Sequence, residues 1–209
     1  VRYFGLSPDL TQLFPSDDDL HGTQSSTSSQ VAADVTLQSF SGSEATFTLG
    51  ATPVSTPLAL NGIYNVFNAA AALALVRAIL NEAINQDSLV NALSQVTPAF
   101  GRGETVIVQG QPVELILVKN PSGFHLGLKS FAAEGYATMI AINDNYADGR
   151  DMSWLWDVDF SSLRAYGVDM VSGLRSYDMA LRLQYDEVPL EDIVPDLKKA
   201  LSQFIAEHA

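Results

Sequence analysis

The 209-residue chain contains no cysteine. It therefore forms no disulfide, builds no zinc ribbon and offers no thiol nucleophile. Positive charge is scarce: 11 Lys and Arg stand against 24 Asp and Glu, giving a formal net charge of −13. That balance opposes non-specific binding to nucleic acid or to an anionic membrane. It is compatible with a cationic partner surface, or with a substrate held through a metal ion. The Gly-x-x-x-x-Gly-Lys-Ser/Thr pattern is missing, so the sequence has no P-loop. The longest apolar stretch, residues 66–80, carries Asn68 and Arg77 and is too short to span a bilayer, so it reads as a buried helix. The first residues, Val-Arg-Tyr-Phe-Gly-Leu, lack the features of a signal peptide. They read as the end of a strand, as if the chain began inside a larger protein, and a cytoplasmic location is expected.

Apolar residues make up 47% of the chain and charged ones 17%, a composition that builds a core rather than a disordered coil. Residues 7–33 are rich in Ser, Thr, Asp and Gly and read as a surface loop. Residues 35–40 and 45–49 alternate around Ser41-Gly42, the pattern of a β-hairpin. Residues 61–64 read as a turn. From Asn65 the period becomes helical, with Val66, Ala69, Ala70, Leu73, Ala74 and Ala78 on one face. A shorter helix over 87–93 has Asp87 as its expected N-cap. Residues 98–103 break the pattern, and a domain boundary is placed there, giving domains 1–99 and 100–209.

Beyond the boundary, 105–108 and 113–118 read as strands around Gly110-Gln111, the second apolar enough for a buried central strand. Asn120-Pro121 opens a helix with Phe124, Leu128 and Phe131 on one face. Residues 137–142 and 169–172 read as further strands, 175–185 as a helix, and 194–207 as a final helix with Leu197, Leu201, Phe204 and Ile205 on one face. Strands alternating with helices predict an α/β fold with a doubly wound, Rossmann-like sheet.

Four constellations could carry chemistry. Residues 143–160 read Asn-Asp-Asn-Tyr-Ala-Asp-Gly-Arg-Asp-Met-Ser-Trp-Leu-Trp-Asp-Val-Asp-Phe, with five carboxylates and both tryptophans. They leave the carboxyl end of an expected strand, where α/β sheets keep their ligands. The plain alternative is a solvated acidic loop with two packing tryptophans. An Asp there could orient a histidine, hold a metal or act as a base. The run has no obvious histidine partner in this chain: His21 reads as part of the polar loop, His125 as part of a helix on a face the sequence does not fix, and His208 as part of the tail. An Asp serving a triad would then need its partners from another chain.

The second constellation is Phe-Gly-Arg-Gly-Glu at 100–104, where Arg102 could reach phosphate oxygens or simply sit in a linker turn. The third is Val-Lys-Asn-Pro-Ser-Gly at 118–123: Lys119 at a strand end facing a helix N-terminus suits an anion, or a salt bridge. The fourth is Asn-Gly-Ile-Tyr-Asn-Val-Phe-Asn at 61–68, whose Asn65 and Asn68 share a helix face. Carboxamides suit the edge of an adenine base, and equally suit capping.

In this order the four pieces resemble the Mur ligase superfamily. Asn-Gly-x-Tyr-Asn-x-x-Asn-x-x-Ala-Ala is similar to its motif near the end of the central ATPase domain, and Gly101-Arg102-x-Glu104 to the start of its C-terminal domain. Residues 117–124, the run 143–157, Ser172-Gly173-x-Arg175 and Ala180-x-Arg182-Leu183 resemble the MurT branch. The likeness covers roughly residues 35–207. It implies a Rossmann-like C-terminal Mur ligase domain preceded by the α/β tail of a central domain. It also implies a ligase subunit that uses ATP and Mg²⁺ to activate the α-carboxyl of D-glutamate in lipid II. Ammonia from a GatD-type glutaminase subunit would then give D-isoglutamine.

The resemblance further implies that an Asp of this domain completes a Cys-His-Asp triad in the glutaminase. Position in the motif favours Asp157, held by Trp154 and Trp156, with Asp151 and Asp148 next. Asn65 and Asn68 would lie near adenine, Arg102 near the ATP phosphates, and Lys119 and Asn120 at the substrate cleft. Lipid II would be met at the membrane surface. Neither nucleic acid nor a transmembrane segment is expected.

The sequence departs from the family in three places. The family usually continues past the last helix with another strand-helix unit, where this sequence stops at Ala209. The family's four-cysteine zinc ribbon has residues 7–33 in its place, so zinc is not expected. The P-loop and most of a central domain are missing, so the chain is expected to be a fragment, inactive as a ligase by itself. Two other readings remain open: a different Mur-type carboxylate–amine ligase, and a non-catalytic module that docks and activates a glutaminase.

Overall fold

A computed structural model describes residues 2–13, 32–60, 62–80, 85–130, 133–145 and 150–208. The chain divides into two compact units, Val1–Glu104 and Thr105–Ala209.

The first unit is built on a four-stranded sheet in the order β1-β2-β3-β4. Strands β2 (Val35–Ser41) and β3 (Glu44–Leu49) form the expected hairpin, turning through Gly42 at φ 58°. Val35, Leu37, Ala45, Phe47 and Leu49 alternate inward and are buried. Two strands were not anticipated in full. β4 (Thr52–Pro57) pairs antiparallel with β3, and β1 (Phe4–Leu6) lies parallel to β2. The Asp34 carboxylate ties β1 down: it accepts the Tyr3 N–H at 2.8 Å and an Arg2 N–H at 2.7 Å. Those bonds hold its pKa below the ordinary carboxylate value.

Helix α1 (Ile63–Ile79) begins two residues before the expected start and packs on the sheet through Val66, Ala69, Ala70, Leu73 and Ala74. Ala78 faces solvent instead. Helix α2 (Gln86–Ser94) is capped by Asn85, whose side chain accepts the Asp87 N–H, so the expected cap is displaced by two residues. Within the expected loop 7–33, Pro8–Leu13 forms a 3-10 turn, while 14–31 lie outside the described residues.

The second unit centres on three parallel strands in the order β7-β8-β9: β7 (Met139–Ala141), β8 (Val168–Ser172) and β9 (Leu190–Val194). Helices α3 (Pro121–Ser130), α4 (Ser176–Tyr185) and α5 (Leu197–Glu207) accompany them. One sheet face, with Ile140 and Val171, packs on Phe124, Leu155, Phe160, Met179 and Leu183. Each such side chain contributes roughly 1.5–3 kcal/mol when fully buried. The other face, with Met139, Met170 and Val194, meets Ala200, Phe204 and Ile205 of α5. Cover on both faces is why β8 is buried along almost its whole length, Ser172 included.

Two expectations fail here. Residues 113–118 do not form a central strand. β6 (Gln111–Ile116) pairs with β5 (Arg102–Val108) in a separate two-stranded hairpin, and Leu115 and Ile116 are exposed. The turn is set by Gln109 and Gly110, both at positive φ, one residue earlier than expected. Val194 does not begin the last helix. It ends β9, and α5 starts at Leu197 behind its cap Asp196, which accepts the Lys199 N–H at 2.9 Å.

Candidate functional site

The acidic tryptophan run connects β7 to β8. Ser153–Asp157 forms a 3-10 turn. Trp154 packs against Phe124, with ring centroids 6.3 Å apart, and Leu155, Val158 and Phe160 are buried between α3 and α4. Because those side chains point inward, Asp157 and Asp159 are turned out to solvent. Trp156 is half exposed and meets Tyr185 edge-on at 5.1 Å.

A single buried cation fixes this segment. Arg182 of α4 pairs with Asp186 at 2.6 Å and donates to the Leu155 carbonyl at 3.2 Å and to the Val158 carbonyl at 2.5 Å. Its guanidinium also lies over the rings of Trp156 and Phe160, 5.5 and 5.4 Å from their centroids. Asp186 in turn accepts the Phe160 N–H at 2.8 Å. Asp157 therefore sits between two carbonyls gripped by one guanidinium. The sequence reading had both tryptophans holding it. Of the two, Trp154 braces the turn from inside and Trp156 packs on α4.

The carboxylates of the run differ in how they are engaged. Asp159 accepts the Ser161 N–H at 2.8 Å, and Asp151 the Ser153 N–H at 2.9 Å. Those backbone bonds, helped by the Ser161 and Ser153 hydroxyls, hold both pKa values below the ordinary carboxylate value. The charges of His125 and Arg164 add a smaller pull at Asp159. Asp157 is different: among the described residues, none hydrogen-bonds or pairs with its carboxylate. Asp148 lies outside the described residues.

A second cluster lies where β7 and β8 end. Arg175 Nε meets Asp144 at 3.0 Å, and its Nη1 meets Asp178 at 3.4 Å. Asn143 Oδ1 accepts the Leu174 N–H at 3.1 Å, and the Arg175 N–H donates to the Ile142 carbonyl at 3.0 Å. Gly173, at φ 91°, allows this close approach. A Cβ there would stand 2.3 Å from the Ile142 carbonyl oxygen. The Ser172-Gly173-x-Arg175 motif thus stitches one strand end to the next.

The remaining candidates fall in both units. In the first, Asn65 Nδ2 donates to the Arg102 carbonyl at 2.8 Å, bringing those two residues together. Gly101 and Gly103, flanking Arg102, both have positive φ, and the Gly101 N–H donates to Glu104 at 2.9 Å. Asn68 is exposed on α1. In the second unit, Asn120 Oδ1 caps α3 by accepting the Gly123 N–H at 2.7 Å, and Lys119 is exposed beside it. Among the described residues no group of three His, Asp or Glu is placed to hold a metal ion. Arg182, Asp186 and Asp144 received no role from sequence. Arg182 and Asp144 stood in the Ala-x-Arg-Leu and Asn-Asp motifs with distant partners, Leu155 and Val158 for the one and Arg175 for the other, while Asp186 had the i,i+4 spacing to Arg182 as its signal.

Residues 117–209 match the family described as MurT ligase C-terminal. Two curated relatives are similar over a wider region, both described as the MurT subunit of lipid II isoglutaminyl synthase (glutamine-hydrolyzing). The one from Streptococcus pneumoniae is 30% identical over 138 residues, 64% of this chain and 30% of that protein. The one from Staphylococcus aureus is 33% identical over 147 residues, 68% of this chain and 33% of that protein. The matched region thus spans about a third of those relatives' length. The fold is similar to that of MurF from Acinetobacter baumannii, with a TM-score of 0.61 at 18% identity, covering 84% of this chain and 39% of that one.

Proposed function

We propose that this chain, whose residues 117–209 match the family described as MurT ligase C-terminal, is part of the ligase subunit of a lipid II isoglutaminyl synthase, and that its second unit completes the active site of a GatD-type glutaminase. In this reading the first unit is the tail of the ATP-binding central domain and the second the MurT-type C-terminal domain. The reaction consumes glutamine and lipid II and leaves D-isoglutamine in the stem peptide, in the cytoplasm at the membrane surface.

One observation carries the reading: Asp157 presents an unengaged carboxylate to solvent from a backbone that Arg182 clamps on both sides. A triad Asp must accept the Nδ1–H of a histidine and hold its tautomer and orientation. That requires a carboxylate oxygen left open to the histidine on a rigid support. Asp151 and Asp159 already accept backbone N–H groups, which makes them poorer donors of this service.

Arg102 and Asn65 fit the edge of a nucleotide site, since the Asn65 carboxamide donates to the Arg102 backbone carbonyl and so keeps the two residues adjacent. Arg102 would meet phosphate oxygens, while Asn65 and Asn68 would face adenine. ATP with Mg²⁺ would supply the phosphoryl group that activates the carboxylate. Lys119, beside the capped start of α3, would attract the anionic acceptor.

The test is glutamine hydrolysis by the GatD-type subunit in the presence of this chain, wild type against Asp157→Ala. Loss of roughly 10³–10⁴-fold in kcat with partner binding retained is expected. Unchanged hydrolysis would remove Asp157 from the triad. Asp148→Ala and Asp151→Ala, run in parallel, would show whether a neighbouring carboxylate takes the role.

A further inference from the structure

Helix α1 opens behind Gly62 without a side-chain cap. Asn65 stands in its first turn, where a carboxamide ordinarily bonds to backbone a few residues away. Here its Nδ2 reaches the Arg102 carbonyl, 37 positions along the chain, at 2.8 Å. A carbonyl oxygen only accepts, so this bond also fixes which way the carboxamide points, with its nitrogen towards Arg102.

The backbone around Arg102 is tied at three points. The Arg102 N–H donates to the Ala99 carbonyl at 3.0 Å, and the Arg102 carbonyl accepts from Asn65. One residue earlier, the Gly101 N–H donates to the Glu104 carboxylate at 2.9 Å. Gly101 and Gly103 flank the arginine at φ 67° and 77°, a conformation that residues with a Cβ disfavour. All of these residues belong to the first unit. The Arg102 residue itself is exposed. A mere connecting turn gains little from a carboxamide drawn out of a helix so far away in sequence. The arrangement suits a guanidinium that has to be presented from a fixed backbone.

Resting on the reading of Arg102 as the cation that meets the ATP phosphates, we propose that Asn65 and Glu104 are positioning residues for Arg102. They act on phosphoryl transfer through the arginine. The two carboxamides of α1 then divide the work: Asn65 holds the arginine, and Asn68, exposed one turn further on, is left to read the base. A cation that stabilises charge on the transferring phosphoryl group has to be in place before the reaction. A displacement on the order of 1 Å costs up to about 10²-fold in rate.

The experiment uses the complete ligase subunit that carries these residues, assembled with its GatD-type glutaminase. It follows ADP release and lipid II amidation with ammonium chloride as the nitrogen source, so that the Asp157 step plays no part. Asn65→Asp keeps the shape of the side chain but turns an oxygen on the Arg102 carbonyl. Glu104→Ala removes the acceptor for Gly101, and Glu104→Gln keeps one. Asn65→Asp and Glu104→Ala are each expected to lower kcat about 10- to 100-fold, with the KM for ATP within about threefold of wild type. Glu104→Gln should recover most of what Glu104→Ala loses. In an Arg102→Ala background, Asn65→Asp should cost no more than about twofold further, since there is no guanidinium left to place. General damage to the fold would instead add to the Arg102→Ala defect, so the cycle separates misfolding from misplacement.

Losses that add in the double variant overturn the positioning role. So does a raised KM for ATP at unchanged kcat in Asn65→Asp, which would make Asn65 a contact to the base. Wild-type kcat in Asn65→Asp and Glu104→Ala, beside a strongly impaired Arg102→Ala, sinks the proposal and leaves the reading of Arg102 standing. Wild-type kcat in Arg102→Ala removes Arg102 from the phosphates, and the proposal falls with that reading.

Discussion

Arg182 does work at the residue scale that no surface charge could do. Its side chain is 9% exposed, its partner Asp186 17%, and it holds the Leu155 and Val158 carbonyls as well. Removing it strands a carboxylate and two carbonyls in a largely dry setting, at a cost of about 3 kcal/mol or more. Arg182→Met is therefore expected to lower the urea midpoint sharply. Arg182→Lys is the finer probe. It keeps a charge beside Asp186 but lacks the planar fork that spans both carbonyls. Its expected signature is a lower kcat for the partner's glutamine hydrolysis with little change in affinity, because the carboxylate of Asp157 is still displayed but less well aimed. An equal loss in kcat and affinity would mark Arg182 as a purely structural prop. This residue was hard to see in the sequence, since its partners at 155 and 158 lie 27 and 24 positions away. Asp157 was easier, because a carboxylate between buried Leu155 and Val158 must point outward once those two point in.

At the scale of elements, the turn from β8 into α4 depends on one position. A side chain at Gly173 would be strained at φ 91° and would collide with the Ile142 carbonyl and Asn143 Oδ1. Gly173→Ala is expected to cost on the order of 3–5 kcal/mol and to separate the ends of β7 and β8. Chemical denaturation followed by tryptophan fluorescence reads it directly, since both tryptophans lie in the unit that contains Gly173. The elements themselves were unevenly legible. The 35–49 hairpin and α1 carry strong periodicity and were readable. β4 holds Pro53 and Pro57, residues that suit only a sheet edge, and an edge is where it lies. β9 has Glu191 and Asp192 at its centre, so its period looked like solvated chain, and Val194 was drawn into the helix pattern that follows. Pro195 was the available signal, because a residue before proline is pushed towards extended backbone. β6 misled in the other direction. An apolar run suggested a central strand, yet the tight turn at Gln109-Gly110 folds it back on β5.

Charge acts at the scale of the whole molecule, and it sets two dependences of opposite character. The first concerns stability. Asp34, Asp151 and Asp159 have pKa values depressed chiefly by backbone N–H groups. A carboxylate whose folded pKa lies below its unfolded one stabilises the fold at pH values above the unfolded pKa. That contribution fades as pH falls through the folded value, so the loss begins near pH 4, about where an ordinary Asp titrates, and continues below it. Asp159→Asn should accordingly flatten the acid limb of a urea-midpoint titration while leaving the curve above pH 6 nearly parallel to wild type.

The second dependence concerns association. With 24 acidic residues against 11 basic ones, the chain should draw a basic partner face through long-range attraction, screened over about 8 Å at physiological ionic strength. Raising salt from about 50 to 500 mM is then expected to slow association about tenfold or more while dissociation changes little, because long-range attraction acts on the encounter and is what salt screens. Stopped-flow kinetics with the glutaminase subunit separates the two rates. A salt effect confined to dissociation would mean that acidic residues are buried in the complex as specific ion pairs, and that the field of the molecule plays no part in finding its partner.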